Sequence, residues 1–388
     1  MKILKRHLNH ALEIVFHFLK ADKKQIMFLS FRGQYNDNPK YISERLHKLY
    51  PKLKIIWAIS NRCHEINLIP DYVELVEIDS VRYAYLKSKS GVLVDNGAGW
   101  YLWANVGLFA KMVKKSNQFN LSTWHGTPLK SIGKNVPGNE KIKYSTTSNC
   151  LICGNRYCED IFTRAYEGLM NTKLVGTPRN DLLINYSEED VFRLRTKLKL
   201  PINKKLLLFA PTYRDNPSDS GIIQLGLIDI EQLKNTLKRK FNGDWEIVFR
   251  AHNMVLEEIE KLKILNDFDI IDGNQFDDMI EYSVACDALL TDYSGAIFDN
   301  TLTDKPCFLF AHDYEHYKNV ERGFYMSIDE FPYSFCATFE ELLKSIEDYD
   351  TNLVHEKCKS FLAKIGSVED GKATDRVIEL LKQHININ

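Results

Sequence analysis

The chain has 388 residues, which at roughly 100 to 200 residues per domain favours two domains. Its composition, 44% apolar, 12% aromatic and 27% charged, excludes a disordered or collagen-like chain. Because 51 Lys and Arg stand against 52 Asp and Glu, a general polycation is excluded, and we expect no nucleic-acid partner.

The first predicted element is a basic amphipathic helix within residues 1–24, which carry six basic and two acidic side chains, a net charge of +4. Apolar side chains recur there at helical spacing: Ile3, Leu4, Leu8, Ala11, Leu12, Val15 and Leu19. Such a helix can lie on an anionic membrane surface or pack on the protein's own core, and the pattern leaves both open. An aromatic and lysine-rich stretch, residues 100–115, is a second candidate for membrane contact.

The remainder alternates short apolar strands with helical patterns. The first series of predicted strands is 26–31, 54–59, 73–78, 91–95, 120–124, 150–153 and 172–175. A helix near 187–199 precedes the second series, 205–210, 245–250, 268–271, 287–291 and 306–310. Nearly continuous apolar strands between helices indicate parallel sheets covered on both faces. We therefore predict an α/β protein with two Rossmann-like, doubly wound domains, residues 25–183 and 184–388, dividing near the Gly and Pro of residues 176–181.

No apolar run approaches the roughly 18 to 20 residues of a membrane-spanning helix, and the N-terminus lacks the pattern of a secretory signal. We expect a protein of the cytoplasmic face of the membrane, held peripherally. The eight cysteines have no framework spacing. Cys150, Cys153 and Cys158 lack a second ligand pair, so we expect buried thiols and no metal.

Polar residues cluster where predicted strands end, the edge at which open parallel sheets bind ligands. His125 follows such a strand and enters a turn containing Gly126 and Pro128, where a neutral imidazole can accept a proton from a hydroxyl. The alternative is a histidine that only bonds local backbone.

His252 closes a strand after Arg250 and could bind phosphate or protonate a leaving group, or be an ordinary surface residue. Thr212 and Arg214 follow another strand and supply a hydroxyl and a guanidinium for phosphates.

Asp292 and Ser294 lie in a turn that leads into a helix, where Ser294 is predicted as the N-cap and the first amides as an anion site. Neither a P-loop nor a GxGxxG motif is present, which makes a P-loop NTPase or a dinucleotide oxidoreductase improbable.

Five segments in order resemble the CDP-glycerol glycerophosphotransferase family, the teichoic acid primases and polymerases of Gram-positive bacteria and their capsule-building relatives. They are residues 123–130 (TWHGTPLK), 176–181 (GTPRND), 210–215 (APTYRD), 250–252 (RAH) and 291–294 (TDYS) with Phe298 and Asp299. Residues 30–39 are similar to the family's N-terminal segment. The resemblance runs from about residue 25 to 325.

This resemblance implies a GT-B-like arrangement of two lobes facing across a cleft and transfer of polyol phosphate from a CDP-polyol to a lipid-linked acceptor, with release of CMP. It implies His125 as the base, His252 as the pyrophosphate-binding or proton-donating partner, and no cofactor. Thr212, Arg214, Asp292 and Ser294 would hold the CDP-polyol. Where many relatives have a second serine, this chain has Gly295.

We expect glycerol phosphate as the transferred group, in teichoic acid or related cell-surface polymer synthesis. Three alternatives stay open: a CDP-ribitol ribitolphosphotransferase, a metal-independent GT-B glycosyltransferase that uses a nucleotide sugar, and a non-enzymatic scaffold held at the membrane by its basic helix.

Overall fold

The computed structural model describes residues 11–97, 102–104, 115–168, 171–212, 222–251, 264–316 and 323–387. The chain divides into two compact units. The first contains the described residues up to His125, then Gly133–Asp181, and again those from Ser367 onwards. The second contains Gly126–Ile132 and Leu182–Gly366.

The first unit is built on a seven-stranded sheet in which every pairing is parallel. Its strands are β1 (Asp22–Leu29), β2 (Lys54–Ile59), β3 (Val73–Glu77), β4 (Ser90–Asp95), β6 (Phe119–Ser122), β8 (Cys150–Cys153) and β9 (Thr172–Leu174). A separate antiparallel pair consists of β5 (Leu102–Ala104) and β7 (Tyr144–Thr146). The order β3-β2-β1-β4-β6-β8-β9 reverses direction between β1 and β4.

The second unit repeats this plan with six parallel strands in the order β12-β11-β10-β13-β14-β15. They are β10 (Lys205–Phe209), β11 (Trp245–Phe249), β12 (Ile271–Asp272), β13 (Ala288–Thr291), β14 (Cys307–Phe310) and β15 (Phe335–Cys336). Here the order reverses between β10 and β13. In both sheets the central strands are buried and apolar, because helices cover both faces.

Most of the labelled helices lie between strands along the chain, and the last three follow β15. Those of the first unit are α1 (Asp37–Leu49), α2 (Val81–Lys89), α3 (Arg156–Ala165), the start of α4 (Asn180–Asn185), and α13 (Ala373–Lys382). Those of the second are α5 (Glu188–Lys197), α6 (Ile222–Gly226), α7 (Ile230–Phe241), α8 (Met279–Ala285), α9 (Ala296–Asn300), α10 (Tyr314–His316), α11 (Phe339–Glu347) and α12 (Thr351–Lys364). Short 3-10 turns occupy Phe16–Phe18, Phe31–Gly33, Ile66–Leu68, Gly133–Asn135, Ile264–Asp267 and Ile328–Glu330.

The predicted strands and the observed ones agree most closely where apolar runs are sharply bounded. Strands β2 and β8 have the predicted limits. The helix predicted near 187–199 begins at Glu188 because Ser187 and Asp190 form a capping box. The strand predicted at 268–271 is shorter and lies later in the chain, at Ile271–Asp272 (β12). Phe268 and Ile270 precede it and pack against the core.

The C-terminal boundary of the second domain differs from the expected 184–388, because residues from Ser367 return to the first unit. The carboxylate of Asp181 accepts hydrogen bonds from the amides of Ala373 (2.8 Å) and Thr374 (2.7 Å) and so caps the start of α13. Val377, Ile378 and Leu381 of that helix are buried in the core of the first unit. Residues 176–181 therefore hold α13 against the first unit, and they also mark where the chain leaves that unit for the second.

We expect Gly176→Ala to destabilise the protein more than Gly138→Ala does. Both glycines have positive φ, 92° and 87°, so alanine strains the backbone at either position. A Cβ at position 176 would lie 2.6 Å from the Cβ of Ala373, whereas nothing lies within 4 Å of one at position 138. Urea unfolding should show a further loss of about 1–3 kcal/mol for Gly176→Ala, and equal losses would contradict the packing described here.

Candidate active site

His125, the predicted site residue of the first unit, lies near the point where the strand order of its sheet reverses. Ser30 follows β1, Asn96 follows β4, and residues 123–125 follow β6, which pairs with β4. In open parallel sheets the crevice for ligands forms at such a reversal, outside the carboxyl ends of the strands. The observed strand order thus places His125 at a position suited to bind a ligand.

A strained turn sets the direction of the His125 side chain. Trp124 has φ 53°, in the left-handed region that non-glycine residues rarely adopt, and Gly126 has φ 127°. The buried Trp124 ring packs edge-on against Phe162, with ring centroids 5.0 Å apart. The His125 ring stacks on Trp124 at 4.7 Å and lies 6.5 Å from the ring of Phe31. These contacts hold the imidazole in one orientation.

One hydrogen bond determines which nitrogen of His125 can act as a base. Nδ1 lies 2.8 Å from the backbone carbonyl oxygen of Asn96. A carbonyl oxygen only accepts, so Nδ1 must carry the hydrogen, and in the neutral ring Nε2 then has the lone pair. The arrangement therefore presents Nε2 as the proton acceptor.

The surroundings of His125 lower its pKa below the ordinary histidine value, chiefly through desolvation by the protein atoms packed round the ring. The residue as a whole is nevertheless exposed to solvent. The carbonyl of Asn96 and the carboxylate of Asp37 act in the opposite direction, and the Arg179 guanidinium adds to the lowering of the pKa. At neutral pH the imidazole is accordingly uncharged, the form that a general base requires.

Asp37, Asn38 and Asn96 form a polar network beneath His125 that the residue-by-residue reading of the sequence did not identify. The side-chain amide of Asn96 donates to Asp37 Oδ2 at 2.6 Å, and Arg179 Nη1 lies 3.0 Å from Asp37 Oδ1. Asn38 is fully buried; its amide donates to the carbonyl of Trp124 (3.1 Å), and its oxygen accepts from the amide of Arg179 (3.0 Å). Both runs of polar residues follow predicted strands, which is the signal that could have found them.

In the second unit, Thr212 and Asp292 come together at the reversal between β10 and β13. The amide of Thr212 lies 3.0 and 2.9 Å from the two carboxylate oxygens of the buried Asp292. The Thr291 hydroxyl donates to the carbonyl of Ala210 at 2.7 Å. Asp292 therefore shapes the loop after β10, and Thr212 lies where that loop leaves the sheet.

Ser294 differs from its predicted role as the N-cap of the next helix. The N-cap is Gly295, whose αR conformation lets the helix begin at Ala296, and the Ser294 hydroxyl accepts from the Ala296 amide at 3.3 Å. The helix has only five residues, so the expected anion site at its first amides is a weaker feature than the sequence indicated.

Arg250 has a structural role in the loop after β12. Its guanidinium is buried and donates to the carbonyls of Gly273 (2.7 Å), Phe276 (2.7 Å) and Asp277 (2.9 Å). Its neighbour Ala251 donates its amide to Asn274 Oδ1 at 2.9 Å. The two remaining predicted site residues, His252 and Arg214, lie outside the described residues, as does most of the stretch 100–115.

Cys150, Cys153 and Cys158 are buried thiols. Burial raises the pKa of Cys150 to about 11 and of Cys153 to about 12, and it raises that of Cys158 further above the ordinary value. These thiols are protonated and unreactive at neutral pH. Among the described residues, no three His, Cys, Asp or Glu side chains come together as metal ligands.

The chain matches the family described as CDP-Glycerol:Poly(glycerophosphate) glycerophosphotransferase over residues 11–383. It is 32% identical, over 93% of its length, to the teichoic acid poly(glycerol phosphate) polymerase of Staphylococcus epidermidis, of which it spans about half (51%). It is 28% identical to the teichoic acid glycerol-phosphate transferase of Staphylococcus aureus, with 97% of this chain and 98% of that protein covered.

Among solved structures, the wall teichoic acid polymerase TagF is similar, with a TM-score of 0.76 and 28% identity over 98% of this chain and 95% of that one. The UDP-GlcNAc 2-epimerase of Methanocaldococcus jannaschii, 14% identical with a TM-score of 0.51, shares the fold alone. Together with the two parallel sheets, these likenesses confirm the predicted GT-B-like fold class and the predicted family resemblance.

Proposed function

Because the chain belongs to the CDP-glycerol:poly(glycerophosphate) glycerophosphotransferase family, we propose that it transfers glycerol phosphate from CDP-glycerol to a hydroxyl of a lipid-linked acceptor. CMP is the other product, and the setting is teichoic acid or related cell-surface polymer synthesis. The observation that carries this proposal is the His125 imidazole, whose Nδ1 is engaged by the Asn96 carbonyl and whose Nε2 is thereby the basic nitrogen.

In the proposed reaction the acceptor hydroxyl oxygen attacks the glycerol-bearing phosphorus of CDP-glycerol. The new P–O bond forms as the bond from that phosphorus to the bridging oxygen breaks, and CMP leaves with the electron pair. His125 Nε2 takes the hydroxyl proton. Such a transfer depends mainly on positioning and on stabilisation of charge, which suits a rigidly held base.

The second unit is the proposed donor-binding side. Thr212 and Ser294 would contact the CDP-polyol, and Asp292 would act by holding the Thr212 amide in place. Arg214 is proposed to bind the phosphates, and His252 to bind the pyrophosphate or protonate the departing CMP; both assignments come from the family resemblance and the sequence alone.

Glycerol phosphate is favoured over ribitol phosphate as the transferred group by the extent of the matches. Four relatives named for poly(glycerol phosphate) polymerisation or glycerol-phosphate transfer match 93–97% of the chain, and a glycerol-phosphate primase matches 61% of it. Those named for ribitol phosphate match 54% of it at 26–27% identity. One TagF structure was obtained after a soak with CDPG.

Incubation of the protein with a glycerol-phosphate-primed lipid acceptor and CDP-glycerol, CDP-ribitol or a nucleotide sugar tests this assignment. We expect CMP from CDP-glycerol at a rate well above that from CDP-ribitol, because the site must fit the shorter polyol. Chromatography of the nucleotide products measures both. Faster release from CDP-ribitol would contradict the proposed donor. A nucleoside diphosphate from the sugar donor would indicate a glycosyltransferase, and no product from any donor would indicate the scaffold.

The described part of the N-terminal segment supports attachment of the protein to a membrane surface. Residues 11–15 are helical and continue as the turn Phe16–Phe18. The buried Glu13 pairs with Lys87 of α2 at 2.9 Å, and Phe16 packs edge-on against Tyr85 at 5.8 Å. The segment therefore packs on the first unit through this side.

The opposite side of the same segment is apolar and exposed. Val15 and Phe18 are 63% and 91% exposed, and Lys20 beside them is exposed as well. Apolar side chains next to a lysine suit the boundary between headgroups and acyl chains of an anionic bilayer. These features support the proposal that the protein is held peripherally at the cytoplasmic face of the membrane. Within the described ranges, no helix has the length and hydropathy needed to cross a bilayer.

We expect the double variant Val15→Ser with Phe18→Ser to bind vesicles containing phosphatidylglycerol at least roughly tenfold more weakly, because burying one large apolar side chain contributes about 1.5–3 kcal/mol. Flotation of vesicles with bound protein measures this. Phe192→Ser with Leu353→Ser removes two exposed apolar side chains of the second unit and should leave binding unchanged. Loss of vesicle binding by the control pair alone would contradict membrane attachment through the N-terminal segment.

A further inference from the structure

We propose that Asp37 and Asn96 are positioning residues, which fix the tautomer and the orientation of His125 through a chain of hydrogen bonds. This inference deepens the proposed function and rests on it, since a base must be oriented only if it accepts the proton of the acceptor. It adds two residues to the machinery of the reaction, neither of which contacts the reacting atoms.

The chain begins with the backbone of Asn96, whose carbonyl accepts from His125 Nδ1. The place of that carbonyl depends on the Asn96 side chain, which is 1% exposed. Its amide nitrogen donates to Ser30 Oγ at 3.0 Å and to Asp37 Oδ2 at 2.6 Å. Because the amide has two hydrogens, both bonds form at once and fix the rotation of the side chain.

Two hydrogen bonds hold Asp37 in turn. Its Oδ1 accepts from Arg179 Nη1 at 3.0 Å and from the amide of Asn38 at 2.7 Å. Its backbone has φ 60°, a conformation that a non-glycine residue keeps only where its surroundings hold it. Since Arg179 lies in the loop after β9 and Asp37 at the start of α1, the network joins four loops at one edge of the sheet.

The carboxylate is required because it only accepts. An asparagine at position 37 would present one oxygen and one NH2 group, and the NH2 group would face a donor, either Arg179 or Asn96. Asp37→Asn therefore loses one of these two hydrogen bonds while keeping the size of the side chain. Because the charged guanidinium of Arg179 is the stronger donor, the oxygen turns to Arg179 and the NH2 group to Asn96. Asn96 then loses its fixed rotation, and its carbonyl no longer selects the Nδ1–H tautomer of His125.

The charged groups that act on His125 are Asp37 and Arg179. The Arg32 guanidinium lies 5.6 Å from the centre of the Phe31 ring, which is itself 6.5 Å from the His125 ring. The Asp37 carboxylate raises the pKa of His125, so its removal lowers that pKa further. A base with a lower pKa is protonated only in more acidic solution. The acidic limb of the pH profile of kcat/KM, which lies below about 6.5 in the unchanged protein, moves to lower pH in the variant.

Two measurements on the full chain test the inference, NMR of protein labelled with ¹⁵N-histidine and the pH profile of CMP release from CDP-glycerol. The His125 signals are assigned by their loss in His125→Gln. In the unchanged protein we expect protonated Nδ1 and unprotonated Nε2, and in Asp37→Asn a mixture of tautomers. The variant should lose kcat roughly 10- to 100-fold, less than the roughly 10²- to 10⁴-fold that a general base contributes because the base itself remains, and its acidic limb should lie at lower pH.

Asp22→Asn is the matched control, because the same change is made at the exposed opposite end of β1. It should alter neither the NMR signals nor the pH profile. If Asp37→Asn only disturbed the local structure, it would lower the plateau of the pH profile of kcat/KM and leave the midpoint of its acidic limb unchanged.

An unmoved midpoint, or a midpoint at higher pH, overturns the inference. Observation of the Nε2–H tautomer in the unchanged protein would also overturn the inference. This result does not depend on whether the Asp37→Asn variant folds. If the unchanged protein releases no CMP, the proposed function fails, while the NMR result still decides whether Asp37 and Asn96 orient the ring.

Discussion

The candidate site depends on the reversal of strand order at the centre of each parallel sheet. The order reverses where β4 lies beside β1 and where β13 lies beside β10. In open parallel sheets, such a reversal is where the crevice for ligands forms, outside the carboxyl ends of the strands. The loop that carries Asn96 lies at the first reversal, and the loops that carry Thr212 and Asp292 lie at the second. The same feature of the topology thus positions the proposed base in one unit and the proposed donor site in the other.

Carboxylates that bind backbone amides or uncharged side chains give these loops their shape. Asp292 holds the Thr212 amide, Asp181 holds the amides of Ala373 and Thr374, and Asp37 holds Asn96. A carboxylate accepts from several donors at once, and charge-assisted hydrogen bonds are stronger than neutral ones. The acidic residues therefore build the edge of each sheet, and an overall charge of −1 is compatible with a site for phosphates.

Much of the fold could be predicted from the sequence because strands such as β2 and β8 are apolar runs between clear turn signals. The pair β5 and β7 was missed, since three residues are too few to show a period. The return of α13 to the first unit could not be predicted, because amphipathic spacing does not tell which core a helix covers. Asp37 and Asn96 were missed because they come into contact only when β1 lies beside β4. Local sequence patterns do not reveal the order of strands in a sheet.

In the proposed mechanism, His125 accepts the proton of the attacking hydroxyl and does not hold the donor. Calorimetric titration of His125→Gln with CDP-glycerol, beside single-turnover CMP release by the same protein, separates these roles. We expect a Kd within about threefold of the unchanged protein and a rate of release reduced roughly 10²- to 10⁴-fold. Release near the original rate, or a loss of donor binding that explains the whole reduction, would contradict it.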